Sequence, residues 1–313
     1  TSLSAALADL NSVTSMTGPV TLTLAAGASE TAPPTGLTIG SSSLNPLLSA
    51  TKTVTLIKAS GAATTLFAGV GTATPSSAAP DGILKIVGAD YITIDGLTLT
   101  DGNTTNPETM EFGLGIFKYS LSDGAQNNTI QNCTINVSNV NNASSTSPMV
   151  EGSVGILMIN SIPGTATTAL TPTTTVGSNS SNKFYSNTIN GGNYGMALIG
   201  FAGTTPFTAC DFSNDIGGTS LATANTIKNF GGAVAATYPS AGIRTLAQYT
   251  LNVSYNTIKN NPTGSNSNHV TTIRGIFINT ATSANATINN NTVTIKSGAT
   301  TSAATARSEE HTS

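Results

Sequence analysis

The chain has 313 residues, only 8% of them charged, and a net charge of −3 at pH 7. Ordinary globular proteins carry about 25% charged residues. The few Lys and Arg residues are scattered, which argues against a nucleic-acid partner, and no apolar run of about 18 residues could cross a membrane as a helix. Hydrophobic residues make up 38% of the chain and follow patterns, which excludes a disordered chain.

The first predicted element is a short amphipathic helix in the segment Ser2 to Leu10. Its apolar residues recur at helical spacing: Leu3, Ala6, Leu7 and Leu10. Alternating Thr and apolar residues at 19–24 and 53–56 predict the first strands. We expect residues 1–19 to cap the N-terminal end of a stack of strands.

The stretch 91–100 predicts two strands joined by a sharp bend. Its apolar residues are Ile92, Ile94, Leu97 and Leu99. The step between the second and the third of them is three residues, which breaks the strand period of two. All four can point inward only if the chain turns at Asp95-Gly96, a dipeptide suited to turns.

A similar corner recurs five times as a short phrase, in which two apolar residues five positions apart flank a pair of residues and then Asn-Thr. The copies start at Ile130, Phe184, Ala222, Val253 and Ile288, and the first has Cys133 in place of Asn. Successive copies are 54, 38, 31 and 35 residues apart. Both apolar residues of a copy face inward only if the chain turns between them.

A second phrase, Gly followed by apolar residues, alternates with the first. It begins at Gly115, Gly155, Gly195, Gly242 and Gly275. Two strands joined by a corner, then a loop and a Gly-led strand, make one coil of roughly 20–30 residues. The excess length falls in insertions rich in Ser, Thr, Pro and Gly at 136–153, 160–182, 200–221 and 228–241. The sequence therefore predicts an all-β parallel β-helix, right-handed like most parallel crossovers, with a short N-terminal capping helix and inserted corner loops.

Stacked coils place equivalent residues in rows. We expect an outward row of Thr134, Thr188, Thr226, Thr257 and Thr292. We expect an inward row of Cys133, Asn187, Asn225, Asn256 and Asn291 at the corner. Stacked Asn side chains satisfy one another's hydrogen bonds, and Asn tolerates left-handed backbone at a corner.

The cysteines, Cys133 and Cys210, are too few for a disulfide framework. An oxidising compartment would permit one disulfide between them. Because Cys133 replaces a corner Asn beside apolar positions, we predict two buried free thiols instead.

The chain ends with the segment 307–313, Arg-Ser-Glu-Glu-His-Thr-Ser. One choice of codons for it reproduces a common sequencing adapter read in frame, so we interpret it as an artefact, with a native polar tail as the alternative. We interpret residues 1–306 as a single β-helix domain. Since it begins without Met or a signal peptide, we expect it to be a fragment.

The Ile92–Leu99 stretch, the Asn-Thr-Ile corners and the leading helix resemble right-handed parallel β-helix proteins of the pectin-lyase-like superfamily. The segment Gly124–Ile130 resembles large secreted β-helix repeat proteins of Bacteroidota-type bacteria. This resemblance implies an extracellular or outer-cell-surface location, with a C-terminal sorting region beyond the chain. It does not choose a chemistry, because the fold hosts lyases, hydrolases, esterases, adhesins and stalks.

Acidic residues are concentrated in one region: Asp90, Asp95, Asp101, Glu108, Glu111 and Asp123. Glycoside hydrolysis requires paired carboxylates, which makes Asp95 and Glu111 catalytic candidates. Clustered carboxylates also bind Ca²⁺, the one cofactor considered, with Asp90, Asp95, Asp101 and Asp123 as candidate ligands. Turn roles compete with both interpretations, because several of these residues precede Gly.

Polysaccharide lyases of the resembled fold use a basic residue near bound calcium. Arg244 and Arg274 each lie next to a Gly-Ile strand, and either could act as a base or neutralise a uronate carboxylate. A solvated surface role is the alternative. Asp211 and Asp215 are a further candidate pair of catalytic carboxylates. A nucleophilic triad is not predicted, because His269 is the only histidine before the terminal segment.

Sugar binding uses exposed aromatic side chains for stacking. Trp is absent, but aromatic residues lie in or beside the predicted insertions: Tyr119, Tyr194, Phe201, Phe207, Phe212 and Tyr238. They predict either a loop-lined groove for ligand or anchors that hold the loops to the core.

Three classes of function remain. The first is a non-catalytic extracellular scaffold or adhesin region of a larger surface protein, monomeric, with a polysaccharide or cell-surface glycan as its partner. The second is a polysaccharide lyase or glycoside hydrolase acting on an acidic polysaccharide. The third is a surface that binds ice or a mineral through the Thr row, which the uneven insertions disfavour.

Overall fold

The structure is a computed structural model that describes residues 1–71, 81–102, 110–138, 153–163, 169–231, 239–260, 269, 272–279, 284–296 and 306–307. An N-terminal helix, α1 (Leu3–Ser12), is followed by strands wound into a right-handed parallel β-helix. Each coil gives one strand to each of three parallel sheets, which we call A, B and C and which have eight strands each. The predicted fold class is confirmed.

Sheet A contains the first strand of each coil. Its strands are β1 (Val20–Leu24), β4 (Val54–Lys58), β7 (Ile92–Asp95), β10 (Thr129–Gln131), β13 (Lys183–Tyr185), β17 (Asp215–Ile216), β21 (Leu251–Ser254) and β24 (Ala286–Asn289). Their register aligns one inward apolar residue per strand: Leu22, Leu56, Ile94, Ile130, Phe184, Ile216, Val253 and Ile288. This row forms one wall of the core.

Sheet B follows across a tight corner. Its strands are β2 (Ser29–Thr31), β5 (Thr65–Phe67), β8 (Thr98–Thr100), β11 (Thr134–Val137), β14 (Thr188–Gly191), β18 (Thr226–Lys228), β22 (Thr257–Lys259) and β25 (Thr292–Thr294). The predicted outward Thr row is confirmed, and the register extends it through Thr98 and Thr65 to Ser29. The residue after each of these Thr points inward.

Sheet C completes each coil. Its strands are β3 (Leu37–Ile39), β6 (Gly82–Val87), β9 (Phe112–Phe117), β12 (Val154–Ile159), β15 (Tyr194–Ile199), β19 (Ser240–Leu246), β23 (Ile273–Asn279) and β26 (Ala306–Arg307). In β6, β9 and β12 every residue is buried, as expected for a parallel sheet covered on both faces. A second apolar cluster, separate from the main core, lies on the outward face.

The glycine column in sheet C is not the one predicted for the first copy. Gly113, not Gly115, stacks with Gly155, Gly195, Gly242 and Gly275, since Leu157 is the register partner of Gly115. The Gly-led phrase and the Asn-Thr corner phrase recur together for a steric reason. A Cβ on any column glycine would lie 2.2–2.4 Å from a methyl carbon of the inward Ile or Val of sheet B in the next coil.

The predicted Asn row at the A–B corner is confirmed, and the side chains of Asn187, Asn225 and Asn256 bond to both neighbouring coils. Asn225 Oδ1 accepts from the backbone N–H of Asn187 at 3.0 Å, and Asn225 Nδ2 donates to Asn256 Oδ1 at 2.9 Å and to the Phe184 carbonyl at 2.7 Å. The backbone expectation was wrong. The left-handed residue is the one before the ladder residue: Asn132, Ser186, Tyr255 and Asn290.

A second Asn ladder, which the sequence reading missed, lies at the C–A corner. Its members are Asn128, Asn182 and Asn214, each again preceded by a left-handed residue. Asn182 Oδ1 accepts from the N–H of Asn128 at 3.2 Å, and Asn214 Oδ1 from the N–H of Asn182 at 2.9 Å. The signal was present, because each of these Asn residues stands two positions before an inward residue of sheet A.

The prediction was wrong for the copy of the corner phrase that starts at Ala222. Ala222 is not the inward residue of its coil, because Ile216 in β17 takes that position. An insertion with a 3₁₀ turn, Leu221–Thr223, separates it from β18. Two further 3₁₀ turns, Asn45–Leu47 and Thr175–Gly177, and a strand pair, β16 (Asp211–Phe212) with β20 (Gln248–Tyr249), lie outside the three sheets.

The helix α1 closes the N-terminal end of the stack. Leu3, Leu7 and Leu10 are buried in the core, whereas Ala6 is only half-buried. Glu30 in β2 accepts from the free N–H groups of Leu3 and Ser4 at 2.6 and 2.9 Å. A carboxylate at this position favours the helix, because the first N–H groups of a helix have no partner within it.

Both cysteines are free and buried, as predicted. Cys133 takes the ladder position of an Asn, and its backbone N–H donates to Asn187 Oδ1 at 3.0 Å. Burial raises the pKa of the Cys133 thiol to about 12, so it stays protonated and inert at neutral pH.

Candidate functional site

Two arginines and a tyrosine meet on the outward face of sheet C. Tyr194, Ala241 and Arg274 occupy one row across β15, β19 and β23, and Arg244 lies three residues beyond Ala241 on the middle strand. Arg244 Nη1 donates to the Tyr194 hydroxyl at 3.0 Å, and its guanidinium carbon lies 5.2 Å from the centre of the Tyr194 ring. The Arg274 guanidinium lies 4.1 Å from the ring centre of Phe277. We call Tyr194, Arg244, Arg274 and Phe277 the arginine patch.

The positive charge of the arginine patch is not neutralised within the described residues. Their one ion pair joins Lys118 to Asp211 elsewhere, so neither Arg244 nor Arg274 has a carboxylate partner there. The Nε atoms of both arginines are buried without a hydrogen-bond partner in the same part of the chain. Two half-buried guanidinium groups in this state suit an anionic ligand, because an arginine fork matches a carboxylate or a sulfate.

Tyr194 is held firmly between the strands. Its hydroxyl donates to the Pro239 carbonyl at 3.0 Å while it accepts from Arg244. Burial raises the pKa of Tyr194, and the charges of Arg244 and Arg274 oppose that rise. The ring therefore remains a neutral phenol at neutral pH and serves as a platform for Arg244.

The acidic candidates do not gather into one site. Asp95 lies at the end of β7 and accepts from Gln131 Nε2 at 2.8 Å and Asn132 Nδ2 at 2.7 Å, a corner role. Glu111 is buried, and its Oε2 accepts from the N–H of Asp81. Asp101 is buried just after β8. Among the described residues, no group of three or more His, Cys, Asp or Glu could hold a metal ion.

Asp90 and Asp123 are the two candidate calcium ligands that influence each other. Burial raises the pKa of Asp90 to about 7, and the charge of Asp123 adds to the rise. Burial also raises the pKa of Asp123, whose Oδ2 accepts from Asn45 Nδ2 at 3.1 Å. Two carboxylates are fewer ligands than Ca²⁺ requires, so the pair alone does not define a calcium site.

Asp211 and Asp215 point to different surroundings and do not form a pair. Asp215 lies in sheet A and accepts from Tyr185, Asn252 and the N–H of Gly218, at 2.5, 2.7 and 3.0 Å. Asp211 is completely buried in β16 and pairs with Lys118, a residue that the sequence reading did not single out.

The aromatic candidates are divided between two places. Tyr194 belongs to the arginine patch, whereas Phe212, half-buried, lines a shallow groove with Phe207 and Tyr249, whose rings are 5.1 Å apart. Phe201 is half-buried and Tyr119 is 41% exposed. Tyr238 and the acidic Glu108 lie outside the described residues.

No helix in the described part of the chain is long and apolar enough to span a membrane. Comparison of the sequence with models of known protein families and with curated proteins gives no match. The proposed function below therefore rests on the fold and on the chemistry of the arginine patch.

Proposed function

We propose that this chain is an extracellular, non-catalytic β-helix scaffold of the pectin-lyase-like kind that binds an acidic polysaccharide at the arginine patch. The observation that carries the proposal is the pair of guanidinium groups, Arg244 and Arg274, without a carboxylate partner in the described part of the chain. A chain with a net charge of −3 that nonetheless concentrates unpaired positive charge on one face favours an anionic ligand there.

The geometry favours binding over catalysis. A lyase needs a base beside its substrate, and a hydrolase needs two carboxyl groups a few ångströms apart. The described side chains that contact the arginines include Tyr194, whose pKa is raised by burial, and the apolar Phe277. The carboxylates Asp95 and Asp215 accept hydrogen bonds from corner and strand residues in sheet A.

A uronate or sulfated sugar fits this chemistry. Its charged group can take a two-pronged hydrogen bond from a guanidinium, and the apolar face of its ring can pack on an aromatic side chain. An extended polysaccharide would place repeated charges along a face built from repeated strands. Each contact is weak, so affinity depends on several units binding together.

The test is binding of the complete chain to polygalacturonate, measured by calorimetry, with neutral dextran as the comparison polymer. Binding to the acidic polymer alone is expected. Arg244→Gln and Arg274→Gln should each weaken it about tenfold, corresponding to about 1.4 kcal/mol. Lys183→Gln is the matched control, because it removes one exposed positive charge from sheet A, and it should leave the affinity unchanged.

Two results would overturn the proposal. Equal affinity of the three variants would show that the arginine patch is not the binding site. Release of unsaturated or reducing products from the polymer, lost in the arginine variants, would make the chain an enzyme rather than a scaffold.

A further inference from the structure

A buried contact outside the arginine patch joins two parts of the chain that are distant in sequence. Lys118 directly follows β9, a strand of sheet C. Asp211 is the first residue of β16 and lies 93 residues later in the chain. The Lys118 Nζ and Asp211 Oδ1 atoms are 3.1 Å apart, and both side chains are 0% exposed. An ammonium and a carboxylate are costly to bury together, because both lose their hydration.

Hydrogen bonds from neighbouring residues hold both groups in place. Lys118 Nζ donates to the Gly177 carbonyl at 2.6 Å, and the N–H of Asn179 donates to Asp211 Oδ1 at 2.9 Å. Among the described residues, Asp211 Oδ2 is buried and has no partner at full hydrogen-bond geometry, although the side chain of Gln248, its strand neighbour, lowers the pKa of Asp211. Asn179 occupies the position of Asp211 one coil earlier. Its Nδ2, which corresponds to Asp211 Oδ2, donates to the Ile159 carbonyl at 3.0 Å. At Asp211 an acceptor oxygen therefore takes the place of a hydrogen-bond donor.

Burial favours the uncharged form of both groups. It lowers the pKa of Lys118 and raises the pKa of Asp211, and the attraction between the two charges opposes both changes. The buried pair is thereby moved toward an amine and a carboxylic acid, which are the reacting forms for amide formation.

We propose that the mature protein contains an isopeptide bond between Lys118 Nζ and Asp211 Cγ. The amine nitrogen attacks Cγ of the protonated carboxyl group, and a new N–C bond forms. One amine proton passes to Oδ2, the Cγ–Oδ2 bond breaks, and Oδ2 leaves as water with its own proton. The second amine proton stays on the amide nitrogen, and Oδ1 becomes the amide carbonyl. No oxidant or further reactant takes part.

Three features of the site promote this step. The fold holds the two groups in contact, which removes most of the entropic cost of bringing them together. The N–H of Asn179 already points at Oδ1, the oxygen that becomes negative when the nitrogen attacks. The interior excludes water, so hydrolysis of the product is suppressed. The bond would close a loop across the coils that carry β12, β13 and β15.

Mass spectrometry tests the proposal directly. The purified complete chain, kept folded at neutral pH for several days, should weigh one water molecule less than its sequence predicts. After trypsin, the chain should remain uncut at Lys118, with the segment 86–183 joined to 184–228. Full sequence mass together with a free peptide ending at Lys118 would overturn the proposal.

Variants assign the missing water to this pair. Lys118→Arg and Asp211→Ala should each show the full sequence mass. Lys85→Arg is the matched control, because Lys85 is also buried and its pKa is also lowered by burial, and it should keep the lower mass. A lower mass that persists in Lys118→Arg would contradict the assignment. If the variants fail to fold, the peptide map of the unmodified chain still decides the question.

Discussion

At the scale of single residues, the buried amides hold the coils in register. Each inner Asn of the A–B corner receives hydrogen bonds from the coil before it and donates to that coil's carbonyl. A buried amide left without a partner costs about 1–3 kcal/mol, so every rung of the ladder depends on the rungs beside it. Cys133 occupies the first position of the row. Its thiol replaces the amide, but its backbone N–H still donates to Asn187 Oδ1.

Replacing Asn225 by Leu should lower the free energy of unfolding by about 2–4 kcal/mol, because it leaves donors of Asn187 without an acceptor in the interior. Chemical denaturation of both proteins measures the difference. Asn136→Ala is the control, because Asn136 is half-buried on the outward face of sheet B and should cost less than about 1 kcal/mol. Equal losses in the two variants would contradict the importance of the inner ladder.

Asp90 should make the protein less stable as the pH rises. Its pKa is raised from 3.8 to about 7, so the folded state holds the proton more tightly than the unfolded state. Stability from this group is fully present below pH 4 and is lost as the pH rises to about 7. Asp90→Asn keeps an acceptor for the Gln126 N–H and should add about 1–2 kcal/mol at pH 8, a value reduced for partial exposure.

Thermal unfolding at several pH values checks this prediction. The Asp90→Asn variant should lose less stability than the unmodified chain between pH 4 and 7. Asp9→Asn, an exposed carboxylate on α1, is the control and should follow the unmodified curve. A parallel shift of both variants would show that net charge, and not the burial of Asp90, is responsible.

The residues of the site were only partly visible in the sequence. The resemblance to lyases singles out Arg244 and Arg274, and their Gly-Ile neighbours predict related coil positions, which the structure places on the adjacent strands β19 and β23. The contact of Lys118 with Asp211 was not predictable. It depends on the lengths of the insertions, which decide the coil on which each residue falls, and no periodic pattern carries that information.

At the scale of elements, the period of two and its interruptions were enough to predict three strands per coil. Ile92, Ile94, Leu97 and Leu99 are all completely buried, and Gly96 between them has a φ of 73°, as the bend requires. The register of sheet C was harder, because Gly113 and Gly115 both lie in β9. The register with β12 and the steric fit of Gly113 to Ile135 in the next coil distinguish them, and neither can be read from the sequence.

Gly195→Ala should destabilise the protein by about 1–3 kcal/mol, because the new methyl group would lie 2.3 Å from Ile227 Cγ2. Gly18→Ala is the control, since its added carbon would have no neighbour within 4 Å and should change stability by less than about 0.5 kcal/mol. The double variant Gly195→Ala with Ile227→Ala should lose less than the sum of the two single losses. Strict additivity in denaturation would argue against this contact.

At the scale of the whole molecule, the β-helix is a one-dimensional stack that must be closed at its ends. The helix α1 closes the first coil, with Glu30 fixing its N-terminus. The uneven insertions do not interrupt sheet B, whose strands stay in register from β2 to β25. The sequence predicted the cap and the stack because both arise from local patterns.

Deleting residues 1–12 should make the protein form larger oligomers than the complete chain does. The deletion uncovers the apolar end of the core and leaves Glu30 without the N–H groups it caps. Size-exclusion chromatography with light scattering measures the mass. Ala8→Glu, on the exposed side of α1, is the control and should keep the mass of the complete chain. A monomeric deletion variant would show that the helix is not needed to protect the end.

The Asn ladder also has a direction, which bears on how such a chain changes length during evolution. Every Asn accepts from the coil before it through the same atoms, so the lower side of one rung fits the upper side of any other. A recombination event that removes the 31 residues 226–256 joins Asn225 to Thr257 and restores the same Asn-Thr phrase. We therefore expect duplications and losses of whole coils to be tolerated when both break points fall at equivalent positions, because the flanking strands then stay in register.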